Sequence, residues 1–376
     1  MGRSRTLTRS VLVGGSLLAM ALLGEGWVRT CTNFRYTAPR IFRPSPIIPW
    51  ELTPHAHDRY DGYWKEFRVS LDINSLGYRD EEFTPAKPAG VFRILVVGDS
   101  FTFGYGVEQP QAYPEALERL LNERNERSGM RYEVINAGYA GGYAPDTEFV
   151  YFRHRGRLLA PDLVVLGYFE GNDLNDLLYT RWPDVDAQGW PLRVTTGLYY
   201  IDTAGRLRTA RGVGTSQSGD AGAASWLAGM RLCLRDHSQL LNFLVQQYRL
   251  MLVTHGSRST NFDALPAPGP DDVARAREKA EMVLAGFASV AAEAGSRFAI
   301  VQIPPKGGGH GIADEPKWLA RWCARHHVPL IETQQALLPA QQQALYFPID
   351  PHWNRQGHAA AAAAIYHGLR RERLIP

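Results

Sequence analysis

The stretch Phe92-Arg-Ile-Leu-Val-Val-Gly-Asp-Ser100 decides how the rest of the chain is interpreted. Its short run of β-branched and other apolar residues is typical of a strand buried on both faces. Leucines at helical spacing between Tyr113 and Arg124 predict that a helix follows this strand. The Gly-Asp-Ser turn therefore places the hydroxyl of Ser100 at the carboxyl end of a buried strand.

The same alternation of strand and helix recurs along the chain. Further strands are predicted at Val134-Ile135, Asp162–Gly167, Arg297–Ile303 and Val328–Ile331, and a last helix at His358–Leu369. Alternating β and α segments predict a mainly parallel sheet between two layers of helices. Ligands of such sheets bind beyond the carboxyl ends of the strands, so the turns after the strands are where functional side chains are expected.

Three regions depart from this alternation. Residues 1–30 have the pattern of a signal peptide or membrane anchor, and residues 31–90 form an irregular extension rich in proline and aromatic residues. The predicted α/β domain covers residues 91–376 and carries an insertion at about 178–270, where a hairpin and a Gly/Ser-rich stretch break the alternation.

The amino terminus indicates export. Arg3, Arg5 and Arg9 precede an apolar run from Val11 to Leu23, which is the pattern of an export signal. The run is shorter than the ~20 apolar residues of a full membrane span, but an anchor extended through Val28 reaches that length. A cleaved signal and a retained anchor both remain open at this stage, and both predict an extracytoplasmic protein, with membrane association through the N-terminus in the second case.

Composition excludes several classes of function. The formal net charge of +3 is mild and no block of like charges occurs, so nucleic acid is not an expected partner. The three cysteines form no Cys-x-x-Cys pair, and no Gly-x-Gly-x-x-Gly motif is present. We therefore expect neither a metal site nor a cofactor.

Ser100, Asp350 and His352 are the predicted catalytic residues. A serine hydroxyl is a poor nucleophile and needs an adjacent base, which a neutral imidazole supplies when a carboxylate orients it. Asp350 and His352 are two positions apart, so they point to the same side of an extended chain. The carboxylate can then contact one ring nitrogen and leave the other for Ser100.

Backbone N–H groups of Ser100 and Gly141, together with the Asn172 side-chain amide, are the predicted oxyanion hole. Each motif has a common structural role when taken alone, because Gly-Asp-Ser, Gly141-Gly142 and Asn172-Asp173 all occur as turns or helix caps. The prediction rests on their combination, since all follow strands that end at one edge of the sheet.

These segments, in this order, resemble the four blocks of the SGNH (GDSL) hydrolases. The blocks here are Gly98-Asp-Ser100, Asn136-Ala-Gly-Tyr-Ala-Gly141, Gly171-Asn-Asp173 and Asp350-Pro-His352. The resemblance implies a flavodoxin-like, three-layer α/β/α fold and ester hydrolysis or acyl transfer. Glu170 replaces the first glycine of the third block, and the last block reads Asp-x-His-Trp-Asn. That variant resembles SGNH-type acyltransferases that acetylate exopolysaccharides.

Three functions follow as hypotheses. The first is a serine esterase that cleaves an O-acyl ester, either on a polysaccharide or other envelope glycan or on a small ester. The second is an O-acetyltransferase with the same triad, motivated by the Asp-x-His-Trp-Asn block and the insertion. The third is a non-catalytic glycan-binding protein on the same fold.

Overall fold

A computed structural model of the chain describes residues 2–32, 38–124, 129–141, 143–197, 199–209, 237–254, 268–308, 312, 314–337 and 342–376. The chain divides into two compact units. One comprises Met1–Thr37 with Ala210–Ala264, and the other comprises Ala38–Thr209 with Leu265–Pro376. Of the predicted insertion at about 178–270, residues 198, 210–236 and 255–267 lie outside the described residues.

The elements are numbered in chain order. The described strands are β1 Phe42–Arg43, β2 Glu51–Leu52, β3 His57–Asp61, β4 Arg68–Asp72, β5 Val91–Gly98, β6 Arg131–Gly138, β7 Leu163–Phe169, β8 Thr180–Val185, β9 Pro191–Thr196, β10 Tyr199–Ile201, β11 Leu207–Thr209, β12 Arg297–Ile303 and β13 Leu330–Glu332. The described α-helices are α1 Gly2–Cys31, α2 Ser100–Phe103, α3 Tyr113–Glu123, α4 Pro145–His154, α5 Asp173–Asp176, α6 Gln239–Thr254, α7 Pro270–Glu293, α8 Glu315–His326, α9 Gln342–Leu345 and α10 Arg355–Arg371. Short 3-10 helices occupy Gln109–Gln111, Gly156–Leu159, Lys306–Gly308 and Gln334–Leu337.

The central sheet consists of β6, β5, β7, β12 and β13 in that spatial order. Every neighbouring pair of these strands is parallel. Counted along the chain, the spatial order is second, first, third, fourth, fifth, which is the flavodoxin-like arrangement. The predicted mainly parallel α/β fold is confirmed.

Two hydrophobic cores lie on opposite faces of this sheet. Successive residues of β5 alternate between them, with Leu95 and Val97 in one core and Ile94 and Val96 in the other. Helices α4, α7 and α8 supply the first core, and α3 and α10 supply the second. Burial on both faces explains why the run before Gly98 is apolar at nearly every position.

A row of glycines crosses the sheet at its carboxyl edge. Gly98 of β5 is in register with Gly138 of β6 on one side and with Gly167 of β7 on the other. A Cβ atom at Gly98 or Gly167 would overlap the side chain of Thr102, and one at Gly138 would overlap the backbone nitrogen of Phe103. The row therefore lets α2, which begins at Ser100, lie directly against the strand ends.

We expect Gly138→Ala to lower the free energy of unfolding by about 1–3 kcal/mol, the usual cost of overpacking a close-packed interior. The added methyl group meets backbone atoms of α2, which cannot rotate away as a side chain can. Urea unfolding of the variant measures this loss. Gly197→Ala is the matched control, since a Cβ atom there has nothing within 4 Å; equal losses for the two variants would contradict the close approach of α2.

The extension before β5 contains two short hairpins. Strands β1 and β2 pair antiparallel, as do β3 and β4, the latter over five residue pairs. Trp50 and Leu71 are buried and belong to the core beneath the sheet. From Ala38 onward the extension is thus part of the sheet-bearing unit, and it reaches the candidate site described below.

Two more hairpins begin the predicted insertion. Strands β8 and β9 pair antiparallel, and β10 and β11 form a second antiparallel pair. Both hairpins belong to the sheet-bearing unit, which continues to Thr209.

The other unit, as far as described, consists of α1 and α6. Within α1, Arg9–Cys31 forms a helix of 23 residues with a mean hydropathy of 1.7, long and apolar enough to cross a membrane. A signal sequence near an N-terminus has the same properties.

Candidate active site

Ser100 is the first residue of α2 and follows β5 directly after Asp99. The Asp99 carboxylate caps this helix, because its Oδ1 accepts a hydrogen bond of 2.9 Å from the Phe101 N–H. The helix ends at Gly104, whose φ of 80° is in the left-handed region that favours glycine. Ser100 is partly exposed beside the buried side chains of Phe101 and Phe103.

The hydroxyl of Ser100 lies in a chain of hydrogen bonds with His352 and Asp350. Ser100 Oγ is 2.8 Å from His352 Nε2. His352 Nδ1 is 2.6 Å from Oδ1 of Asp350, and the same oxygen accepts the His352 N–H at 3.0 Å. Because the carboxylate only accepts, the arrangement favours the tautomer with the proton on Nδ1, which leaves Nε2 to accept the serine proton.

The loop that carries Asp350 is held by two charged side chains from distant parts of the chain. Glu66, from the turn between β3 and β4, accepts hydrogen bonds of 2.7 Å from the N–H groups of Ile349 and Asp350. Lys306, just after β12, donates bonds of 2.7 Å to the carbonyls of Phe347 and Pro348. The backbone of residues 347–350, just before His352, is therefore held by one anionic and one cationic side chain.

Glu66 and Lys306, which hold this loop, also interact with each other and with Asp350 through their charges. Burial raises the pKa of Glu66, the hydrogen bonds from the loop lower it, and the nearby Asp350 carboxylate raises it further. Burial lowers the pKa of Lys306, while Glu66 and Asp350 oppose that shift. The ammonium group of Lys306 thus interacts favourably with both carboxylates and offsets their mutual repulsion.

Aromatic rings contact the imidazole of His352. The ring of Tyr105 lies 4.4 Å from it and that of Phe101 lies 4.9 Å from it, measured between centroids. The hydroxyl of Tyr105 is 2.7 Å from that of Tyr60 in β3. Since Tyr60 belongs to the extension, this segment supplies part of the surroundings of the imidazole.

Gly141 and Asn172 follow β6 and β7, the two strands that flank β5. Gly141 has a φ of 101°, and a Cβ atom there would overlap Leu207 of β11, so only glycine suits the position. The Asn172 side chain donates from Nδ2 to Oδ2 of Asp176 at 2.8 Å, and its Oδ1 is buried with no partner among the described residues. Neither residue is hydrogen bonded to Ser100 or His352 in the described part of the chain.

Buried carboxyl groups surround the start of α2. Burial raises the pKa of Asp99 to about 6, although the Phe101 N–H and the neighbouring His352 lower it. Burial and then the nearby Asp99 raise the pKa of Glu148 well above its ordinary value. Burial, followed by the nearby Glu148 and Asp99 carboxyl groups, likewise raises the pKa of Asp173 well above its ordinary value. Both carboxyl oxygens of Glu148 lack a partner among the described residues, which favours its neutral form.

The described residues contain no group of three or more His, Cys, Asp and Glu side chains that could hold a metal ion.

Sequence reasoning missed Glu66 and Tyr105, and it did not predict that Lys306 binds the loop that carries Asp350. Glu66 and Lys306 act on backbone atoms more than forty positions away, which leaves no local pattern. Tyr105 left no helical signal either, because it follows Gly104, where α2 ends, and helical spacing therefore does not relate it to Phe101.

No protein-family model matches the chain, and no curated protein matches it significantly. Several solved structures are similar to it. A lipolytic protein of the G-D-S-L family from Desulfitobacterium hafniense DCB-2 is 11% identical, with a TM-score of 0.39 over 74% of this chain and 99% of that one. A two-domain esterase active on acetylated mannans is 13% identical, with a TM-score of 0.42 over 76% of this chain and 51% of that one.

An acetylxylan esterase from Geobacillus stearothermophilus is 12% identical, with a TM-score of 0.38 over 74% of this chain and 93% of that one. Similarities at this level leave the activity to be inferred from the site itself.

We expect Asp99→Asn to change how stability depends on pH. Because the folded-state pKa of Asp99 lies near 6, above the ordinary value of 3.8, its contribution to stability is fully present below 3.8 and is lost as the pH rises through about 6. Asparagine keeps the capping oxygen but does not titrate. The wild type should therefore lose about 1–3 kcal/mol relative to the variant between about pH 4 and about pH 7.

Urea unfolding of both proteins across this pH range measures the difference. Parallel curves for the wild type and Asp99→Asn would show that the Asp99 carboxyl group is not titrating in the folded protein within this window.

Proposed function

We propose that the protein is a serine esterase of the SGNH hydrolase type that cleaves an O-acyl ester through an acyl-enzyme. The observation that carries the proposal is the chain of hydrogen bonds from Ser100 Oγ through His352 to Asp350, at 2.8 and 2.6 Å. Such an arrangement activates a serine for attack on an acyl carbon and has few purely structural uses at a partly exposed position.

The reaction has two steps. Ser100 Oγ attacks the ester carbonyl carbon while Nε2 of His352 takes the hydroxyl proton, and the tetrahedral intermediate collapses as that proton passes to the leaving alcohol. Water then attacks the acyl-serine, His352 takes a proton from it, and the returned proton restores Ser100 as the acid departs. Asp350 holds the imidazole in the required tautomer and stabilises the imidazolium in both steps.

The oxyanion of each intermediate would be stabilised by the N–H groups of Ser100 and Gly141 and by the Asn172 amide. In the structure one N–H of the Asn172 amide donates to Asp176, which leaves the second N–H of the same group to donate to the oxyanion. Donors of this kind each contribute ~10²–10³ to turnover in serine hydrolases.

We infer an acylated polysaccharide or other envelope glycan as the substrate. The support is the resemblance of the Asp350-Pro-His-Trp-Asn354 block to enzymes that act on exopolysaccharides, together with the arginine-rich, apolar N-terminus typical of exported proteins. Trp353 of this block is fully buried, so it packs beneath the site rather than contacting a sugar.

We expect Ser100→Ala to lower kcat for p-nitrophenyl acetate by about 10³–10⁶-fold, because alanine has no hydroxyl with which to form the acyl-enzyme. The variant should also lose covalent labelling by a fluorophosphonate probe, which the wild type should show. Ser75→Ala is the matched control, since Ser75 is an exposed serine in the extension. Comparing the rates of hydrolysis of p-nitrophenyl acetate, butyrate and octanoate shows which length of acyl chain the site prefers.

Equal hydrolysis and equal labelling by the wild type and Ser100→Ala would overturn the proposal. Labelling of Ser100 without release of acid, with acyl transfer to an added sugar, would keep the acyl-enzyme and replace hydrolysis by transfer.

We expect Glu66→Gln to lower kcat about tenfold with little change in KM, because a carboxamide can accept only one of the two loop N–H bonds and no longer balances Lys306. Steady-state kinetics on p-nitrophenyl acetate give the two constants. Glu82→Gln is the control, since Glu82 belongs to the same extension but binds Ser75. Unchanged kcat in Glu66→Gln would show that the loop is held without this carboxylate.

A further inference from the structure

Helix α1 has the dimensions of a membrane span. The segment Arg9–Cys31 has 23 residues and would extend ~34 Å at 1.5 Å per residue, slightly more than the ~30 Å of a bilayer's hydrocarbon core. Its apolar side chains are exposed, with Leu18 at 62% and Leu22 at 64%. Trp27, Glu25 and Arg29 lie near its C-terminal end, where an aromatic and charged residues are expected at the level of lipid headgroups.

The start of helix α6 is capped by a residue of α1. The Glu25 carboxylate accepts hydrogen bonds from the Gln239 N–H at 2.8 Å, the Leu240 N–H at 2.9 Å and the Ser238 hydroxyl at 2.9 Å. These two N–H groups begin α6 and have no partner within their own helix. A negative charge at a helix N-terminus also interacts favourably with the helix dipole.

Further contacts join the two helices at the same level. Arg29 donates from Nη2 to the carbonyl of His237 at 2.7 Å. The rings of Trp27 and Phe243 meet edge to face at 6.0 Å. Gly24 lies so close to Leu240 that a Cβ atom there would be 2.9 Å from its side chain. Helix α6 therefore meets α1 over residues 24–29, the polar end of the candidate span.

Helix α6 presents large apolar side chains to solvent. Leu241, Leu244 and Tyr248 are exposed by 37%, 54% and 59%, and their spacing of three and four residues places them on one face. Met251 continues this face and is 49% exposed. Leu241, Leu244, Tyr248 and Met251 are called the α6 face below. Helix α6 contacts α1 at the end of the candidate span that would lie among the lipid headgroups.

We propose that α1 is retained in the mature protein as a membrane anchor, and that α6 lies in the interfacial layer of the same bilayer with the α6 face in contact with lipid. Retention follows because signal cleavage near residue 30 would remove Glu25, Trp27 and Arg29, and with them the cap and the side-chain contacts of α6. Lipid is the expected occupant because a helix fixed at the headgroup end of a span, with an apolar face and no acidic residue, matches an interfacial helix.

The test of the α6 position uses the full chain with Cys31, Cys233 and Cys323 replaced, reconstituted in vesicles of phosphatidylethanolamine and phosphatidylglycerol. An environment-sensitive fluorophore at Leu244→Cys should show blue-shifted emission, and a lipid-borne quencher near the headgroup should quench it more strongly than one near the end of the acyl chain. Leu18→Cys, in the middle of α1, should show the opposite order. Ser75→Cys, exposed in the extension, should be quenched by neither.

Three outcomes would overturn the placement of α6. Emission at Leu244→Cys like that at Ser75→Cys would show a helix in water. Stronger quenching by the deep quencher would show a helix within the hydrocarbon core. A blue shift without lipid quenching, together with cross-linking of two chains through position 244, would show that a second copy covers the face.

Retention of α1 is tested separately by the intact mass of the protein recovered from the membrane fraction of producing cells. A mass that includes residues 24–31 supports the proposal. A mass that begins after Cys31 overturns it, because the cap from Glu25 would then be absent from the mature protein.

Discussion

The close approach of α2 to the carboxyl edge of the sheet is the constraint on which the site depends. Gly98, Gly138 and Gly167 are in register across three strands, and each leaves room that α2 fills. Side chains at these positions would push the helix away from the strand ends. The position of Ser100 thus depends on the absence of side chains at these three glycines. The turns after β6 and β7 reach the same edge of the sheet.

The second half of the site reaches Ser100 from the far end of the chain, and its position depends on charge. His352 is 252 residues from Ser100 and lies on a loop. A loop tolerates displacement, and a displacement of about 1 Å is enough to disturb a catalytic hydrogen bond. Glu66 and Lys306 both hold the backbone of this loop, so a segment before the central strands and a segment between β12 and β13 together help to position the imidazole.

The sequence predicted what depends on local pattern. The apolar run before Gly98 indicated a buried strand, and the order of short polar motifs indicated which turns share an edge. It under-predicted β6, where only Val134-Ile135 was recognised, because the polar Asn136 continues the strand while buried and bonded to the Gly138 N–H. It did not predict the strand order from periodicity, since pairing between distant strands leaves no local trace; the order came from the resemblance. The contacts of Glu66 and Lys306 with the loop that carries Asp350 were missed for the same reason.

The bond between Asn172 and Asp176 bears on how selective the site can be. Asp176 accepts one N–H of the Asn172 amide and so restricts the rotation of the group, which fixes the direction of the second N–H. In the proposed mechanism this second N–H meets the substrate oxygen. A donor that is already oriented binds the charged oxygen of a tetrahedral adduct more strongly than the nearly neutral carbonyl oxygen of the intact ester. Boronate or phosphonate adducts, which place an anionic oxygen at this point, should therefore bind more tightly than the parent ester.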